Sequence, residues 1–164
     1  FIAVMFFGWN KVTPRFHLAS TWLTVIGATI SAVWILIANS WMQDPQGVVF
    51  NPATVRSEMA DFWAVALSST AINKFWHTVT SSWLLGSIFA LAICAYYMLR
   101  KDKKHHEFAL ANARIIAPFG LIAALLTAFT GDTSAVNVAE RQPMKLAAME
   151  GLYDGGHELD ERFP

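Results

Sequence analysis

The sequence predicts an all-α fold: a polytopic membrane helical bundle, present as three full transmembrane helices and the end of another. Three observations predict it. Three long runs, 16–43, 75–99 and 115–131, carry no Asp, Glu, Lys or Arg. Charged residues make up 15% of the 164, where a soluble domain carries about 25%, and mean hydropathy is +0.39. Trp9, Trp41 and Trp76 sit near the ends of apolar runs, as in an aromatic belt at a membrane interface.

Composition excludes other classes. Hydrophobic residues reach 55%, and disorder requires the opposite. A disulfide framework is excluded because Cys94 has no partner cysteine. Twelve basic and twelve acidic residues cancel, so bulk charge does not point to nucleic acid. No basic stretch and cleavage site of a signal peptide is visible. The chain starts at Phe1 inside an apolar stretch and stops at Pro164 in a polar one. It is expected to be an internal piece of a longer protein, whose function belongs to that parent.

The elements follow in order. Residues 1–9 are apolar but short, and are expected to be the last turns of a transmembrane helix. Residues 10–17 form a loop with Lys11 and Arg15. Residues 18–41 and 75–99 are each long enough to span a hydrocarbon core, which takes about 20 apolar residues. Residues 42–74 are the segment between them. Residues 100–111 form a second basic loop. Residues 112–131 make the third span, with Pro118 inside it, which a membrane helix tolerates. None of the three spans shows the polar stripe of a helix at a soluble surface. Asp132 is expected to cap the last helix, and residues 132–164 follow it. No internal repeat or low-complexity tract is present.

Charge sets the orientation. Lys11, Arg15, Arg100, Lys101, Lys103, Lys104 and Arg114 lie on one side, with only Asp102 and Glu107 as acids. The other side holds the remaining five basic and ten acidic residues. The positive-inside rule puts the short loops in the cytoplasm. Residues 42–74 and 132–164 are then periplasmic. Ser82, Gly86 and Ala90 share one helix face, as do Gly27 and Ser31, and both faces read as plain helix packing.

Few residues could carry chemistry. His77 is the only histidine well inside an apolar run, about a turn from its outer end. Polar groups at such depth tend to face a bundle interior or a cavity. Neutral imidazole also ligates haem iron. Ser81, Leu85 and Ile88 follow on its face, small and apolar enough for a flat macrocycle. The residues alone admit a second reading, an interfacial histidine that bonds a neighbour. His17 reads as interfacial, and His105 and His106 as solvated charge. His157, among Asp154, Glu158, Asp160 and Glu161, reads as part of a solvated acidic loop.

Residues 143–151 form a short amphipathic helix, with Pro143 suited to its first position and Gly151 to its end. Leu146, Met149 and Tyr153 fall on one side, as in a helix lying on the outer membrane surface. Lys145 and Glu150 are five apart, a poor spacing for pairing along a helix. They are either solvated charges or a pair able to bind and deprotonate a polar headgroup such as a quinol. Ser31 reads first as a serine bonded to its own backbone, and second as part of a proton path.

Several stretches together resemble subunit I of the cytochrome bd quinol oxidases. They are Phe6-Phe7-Gly8-Trp9, the tryptophan-rich run from Ser31 to Pro45, Phe75-Trp76-His77-Thr78-Val79, and Lys145-Leu146-Ala147-Ala148-Met149-Glu150. Their order and spacing match across nearly the whole chain. The resemblance implies a subunit of nine transmembrane helices with three haems in the bacterial cytoplasmic (inner) membrane. This piece would hold the end of the third helix, helices four to six, and the start of the periplasmic quinol-binding loop. By the same resemblance, His77 is an axial ligand of the low-spin haem b. Lys145 and Glu150 act in quinol binding and oxidation. Ser31 belongs to a proton path, with Asn39 one face further along. A haem b/haem d pair, the methionine completing the low-spin haem, and a second oxidase subunit would lie outside these residues. The substrate is ubiquinol or menaquinol.

Two other classes compete. A transporter would line a polar path with His77 and Ser31, and predicts broken helices or repeat symmetry. A cofactor-free assembly subunit predicts no optical spectrum.

Overall fold

The fold comes from a computed structural model, which describes residues 1–100 and 103–152. It has six helices and one small sheet among them: α1 (Ile2–Phe7), α2 (Pro14–Gln43), β1 (Val48–Asn51), β2 (Arg56–Met59), α3 (Phe62–Ala66), α4 (Ser69–Leu99), α5 (Lys103–Arg141) and α6 (Pro143–Met149). The chain divides into two units, Phe1–Ser82 and the residues from Trp83 onward, with α4 belonging to both.

In the first unit, α2 starts where its sequence allows. Pro14 takes the first turn and the Thr13 hydroxyl accepts the Phe16 N–H at 3.4 Å. Proline loses nothing there, since that N–H has no helical partner. Thirty residues extend about 45 Å at 1.5 Å each, more than the ~30 Å core of a bilayer, so both ends can reach past it or the helix can tilt. Thr21, Thr24 and Thr29 each donate to the carbonyl four residues back, at 3.0, 2.8 and 2.9 Å. This satisfies hydroxyls that hydrocarbon would otherwise leave costly. Trp22, Ile26, Ile30, Trp34 and Ile35 are exposed, an apolar surface that only lipid or further helices can cover. α1 packs on α2. There His17 Nε2 lies 3.1 Å from the Met5 carbonyl oxygen, and the His17 ring is 4.6 Å from Trp9. The expected interfacial histidine thus has a backbone partner.

Residues 42–74 depart from a plain loop. β1 and β2 pair antiparallel, from Val48 opposite Met59 to Asn51 opposite Arg56. Glu58 Oε1 holds the turn by accepting from Asn51 Nδ2 at 3.0 Å and Thr54 Oγ1 at 2.9 Å. Four-residue strands leave too few alternations to read from sequence, so a sheet was not expected. Gly47 closes the base of the hairpin at φ +62°, and its carbonyl accepts the Ala60 and Asp61 N–H groups. A Cβ at Gly47 would lie 2.7 Å from the Asp61 carbonyl oxygen. Asp61 then caps α3, accepting from Trp63 and Ala64 N–H at 2.9 and 3.2 Å. α4 begins at Ser69, six residues before the apolar run, because the polar residues ahead of Phe75 bond to α2.

In the second unit, the second half of α4 packs on α5 through small residues. Ser87, Cys94, Ala109 and Ala123 are buried. A Cβ on Gly120 would lie 2.9 Å from the Ser87 Cβ. Trp83 packs on Phe119 at 5.8 Å, and Tyr97 stacks on His105 at 5.2 Å. His105 therefore carries a ring contact that simple solvation did not predict. Gly27 and Gly86, expected on close-packed faces, have nothing within 4 Å of a would-be Cβ. Their faces are open among the described residues, and Gly120 is where α4 and α5 approach. Gly120→Leu should overpack this seam and cost about 1–3 kcal/mol. Thermal unfolding of the detergent-solubilised full-length protein checks it, and an unchanged midpoint would mean the seam opens freely.

α5 corrects two expectations. It runs from Lys103 to Arg141, through Pro118 and past Asp132. Asp132 is therefore an exposed helix residue and not a cap. An apolar run marks the part of a helix that needs hydrocarbon, not where the helix ends. Residues 132–141 contain no Pro or Gly, so nothing stops the helix until Pro143 starts the next one. α6 packs on α5. It covers Leu146 and Ala147 partly and leaves Met144 and Met149 exposed. Gly151 follows at φ +69°, the chain reversal expected there. Tyr153 and the segment around His157 lie outside the described residues.

α2, α4 and α5 each meet the length and composition needed to cross a membrane, with 0%, 11% and 17% of their apolar windows buried. The chain is an all-α membrane protein with one minor hairpin.

Candidate functional site

His77 lies on α4, half-buried, eight residues from the helix start. The turn around it is reinforced by its own hydroxyls. Thr80 Oγ1 donates to the Trp76 and His77 carbonyls at 2.8 and 3.2 Å, and Ser81 Oγ donates to the His77 carbonyl at 2.6 Å. Ser82 Oγ does the same to Thr78 at 2.8 Å. With its hydroxyl turned to the backbone, Ser81 presents a small side chain. Leu85 and Ile88, in the second unit, are exposed.

One turn before His77, the chain builds a polar clamp. Lys74 Nζ donates to Asn39 Oδ1 at 3.0 Å and to Gln43 Oε1 at 2.8 Å. Thr70 Oγ1 donates to Asp44 Oδ2 at 2.7 Å, and Gln46 Nε2 donates to the same oxygen at 3.1 Å. Ser40 Oγ lies 3.5 Å from Ser68 Oγ, both buried, and Ser68 Oγ also accepts the Ala71 N–H at 3.2 Å. These bonds tie the last turns of α2 to the first turns of α4. They fix the register of the helix that carries His77.

Beside the clamp lies an apolar groove of about 230 Å³. Val33, Leu36 and Ile37 of α2 line it with Ile72, Phe75 and Trp76 of α4. Ser31 is exposed on α2. Asn39, expected one face further along a proton path, is an acceptor in the clamp.

Lys145 and Glu150 lie on and just after α6, and both are exposed. Glu150 is the C-cap, and its N–H bonds the Leu146 carbonyl at 2.9 Å. Pro143 at the first position and the turn at Gly151 bracket a seven-residue helix, which places the two charges near its surface.

His77, Ser31 and the clamp thus belong to the first unit, and Lys145 and Glu150 to the second. Lys74 is the site residue that sequence reading missed. Its signal was present: Asn39 and Gln43 are four apart at one helix end, and Thr70 and Lys74 are four apart at the next. Among the described residues, no three His, Cys, Asp or Glu side chains gather as a metal site.

The family model for cytochrome bd terminal oxidase subunit I matches residues 1–162. The chain is 42% identical over 151 residues to cytochrome bd-II ubiquinol oxidase subunit 1 of Escherichia coli (strain K12), covering 92% of this chain and 29% of that protein. It is 34% identical over 154 residues to cytochrome bd ubiquinol oxidase subunit 1 of Bacillus subtilis (strain 168), covering 94% of this chain and 32% of that protein. The chain spans about a third of the length of these curated relatives.

Proposed function

The chain belongs to the cytochrome bd terminal oxidase subunit I family, and on that premise we propose that it is part of the haem-bearing subunit of a respiratory quinol:oxygen oxidoreductase. The observation that carries this reading is His77, half-buried on a continuous apolar helix within residues that the family model covers. The chemistry of the site fits a haem. Neutral imidazole is a haem ligand, the neighbouring hydroxyls are turned to the backbone, and the helix itself exposes apolar side chains such as Ile72 and Trp76. When bound, a low-spin haem b supplies one-electron transfer.

The chain's own residues then divide the work. His77 would hold the haem iron through an imidazole nitrogen. The clamp from Ser40 to Lys74 holds α4 at a fixed register, so that nitrogen has a defined place. Lys145 binds a quinol oxygen, and Glu150 takes a proton from the quinol hydroxyl as general base. Oxidation of a quinol releases two electrons and two protons. A low-spin haem b held here, with a haem b/haem d pair held elsewhere in the subunit, would supply the one-electron steps that carry these electrons to oxygen. Ser31 contributes to the inward proton route. The positive-inside count supports a periplasmic side for α6 and for the end of α2, in the bacterial inner membrane that the family reading implies. Protons are then released outside and taken up inside, and charge separates without a pump. The partners are quinol, a second oxidase subunit and lipid.

A transporter would show broken helices. α2, α4 and α5 are continuous, so no observation favours that class. The test is quinol-dependent oxygen uptake by membranes carrying the full-length parent with its partner subunit. Uptake that needs the parent supports the reading, and its absence in haem-replete membranes contradicts it. The 164 residues alone should hold less than one haem per chain, because the second axial ligand lies elsewhere. A purified fragment with stoichiometric haem would contradict that.

A further inference from the structure

We propose that the turn between α4 and α5 binds the headgroup of an anionic phospholipid in the cytoplasmic leaflet. This rests on the orientation given to the spans, and not on the haem reading of His77. Residues 100–107 carry Arg100, Lys101, Lys103 and Lys104 against Asp102 and Glu107. With each acid neutralising one cation, two positive charges remain, apart from His105 and His106. The positive-inside rule accounts for basic residues on this side, but not for their crowding at the start of a helix. α5 begins at Lys103 with no acidic residue in its first turn, and the macrodipole disfavours cations at that end. An anion from outside the chain offsets both the dipole and the mutual repulsion.

The geometry sets this charge at headgroup depth. The last turn of α4 carries Tyr96 and Tyr97, a residue type that settles at membrane–water interfaces. The Arg100 guanidinium lies 5.5 Å from the centroid of the exposed Tyr96 ring. Tyr97 stacks on His105 at 5.2 Å and 28°, so the end of α4 and the start of α5 lie side by side. The two rings thus hold a basic group from each side of the turn at one level. Arg100 and His106 are exposed, within reach of a ligand in the headgroup layer. Leu99 and Phe108, beside this basic end, are exposed as well. They offer apolar contact to acyl chains, which a free phosphate could not use. The cytoplasmic leaflet carries a negative surface potential, and each Lys or Arg near it strengthens binding about fivefold.

The test reconstitutes the full-length protein with its partner subunit in phosphatidylcholine vesicles. The vesicles carry a trace of photoactivatable phosphatidylglycerol, or of the matching phosphatidylcholine probe, and the labelled peptides are mapped. At low salt the anionic probe should label the segment 96–108 about 25-fold more than the zwitterionic one, two charges at about fivefold each. Added salt should erase that preference by screening. Arg100→Gln should lower labelling by the anionic probe about fivefold and leave the zwitterionic label unchanged, and Arg100→Lys should restore most of it. Equal labelling by the two probes at low salt overturns the proposal, as does a preference that Arg100→Gln leaves intact. Excess inorganic phosphate should not displace the label. Displacement would make this a site for a soluble anion and would overturn the lipid assignment. Should Arg100→Gln fail to assemble, the comparison of the two probes in the unaltered protein decides. Labelling of a Lys103→Cys variant by an impermeant maleimide in right-side-out vesicles is a different failure, because it overturns the leaflet through the orientation of the spans.

Discussion

Replacing Glu150 with Gln in the full-length oxidase is expected to lower the turnover of quinol about 10²–10⁴-fold, the range for loss of a general base. The haem spectrum should stay intact. Gln keeps the size and hydrogen-bonding shape of Glu but cannot take the proton. Glu150 is exposed at the end of α6, so the change should not disturb folding. Lys145→Ala should act differently. It removes a charged donor to the quinol oxygen, and bonds to charged groups contribute about 1.5–3 kcal/mol. A fall of about 10–100-fold in kcat/KM follows, carried mainly by KM. Steady-state oxygen uptake against quinol concentration separates the two. Unchanged kinetics in both variants would return the pair to solvated surface charges.

His77→Ala should have the larger effect. Quinol oxidation should fall to background, and haem content should drop by one per complex. The imidazole is the proposed iron ligand, and alanine cannot replace it. Oxidation of an artificial donor that bypasses the low-spin haem should survive in part. Pyridine haemochrome content per complex, measured beside activity, checks the stoichiometry. Full haem content with lost activity would mean that His77 acts on quinol and not on iron.

The membrane spans were legible because each depends on one property, a run of residues that water will not solvate. Their ends were not. α5 continues past Gly131 to Arg141, since a helix stops at a breaker or a cap and not where polarity begins. The hairpin at Val48–Met59 escaped because its strands are four residues long. His77 stood out by its burial in an apolar run. Lys74 did not, because its significance comes from Asn39 and Gln43, 35 and 31 residues away. Such pairing is set by how α2 and α4 meet, and no local pattern records it. The glycine faces failed for a related reason. Gly27 and Gly86 permit close packing, but a partner must be present, and among these three helix glycines of the described residues Gly120 has one.

The most direct test of the central claim is the reduced-minus-oxidised optical spectrum of membranes carrying the full-length protein, with and without His77→Ala. Loss of one low-spin b band, with the remaining haem signals kept, is the predicted result. A parent without any haem signal, or a low-spin band untouched by the substitution, would contradict it.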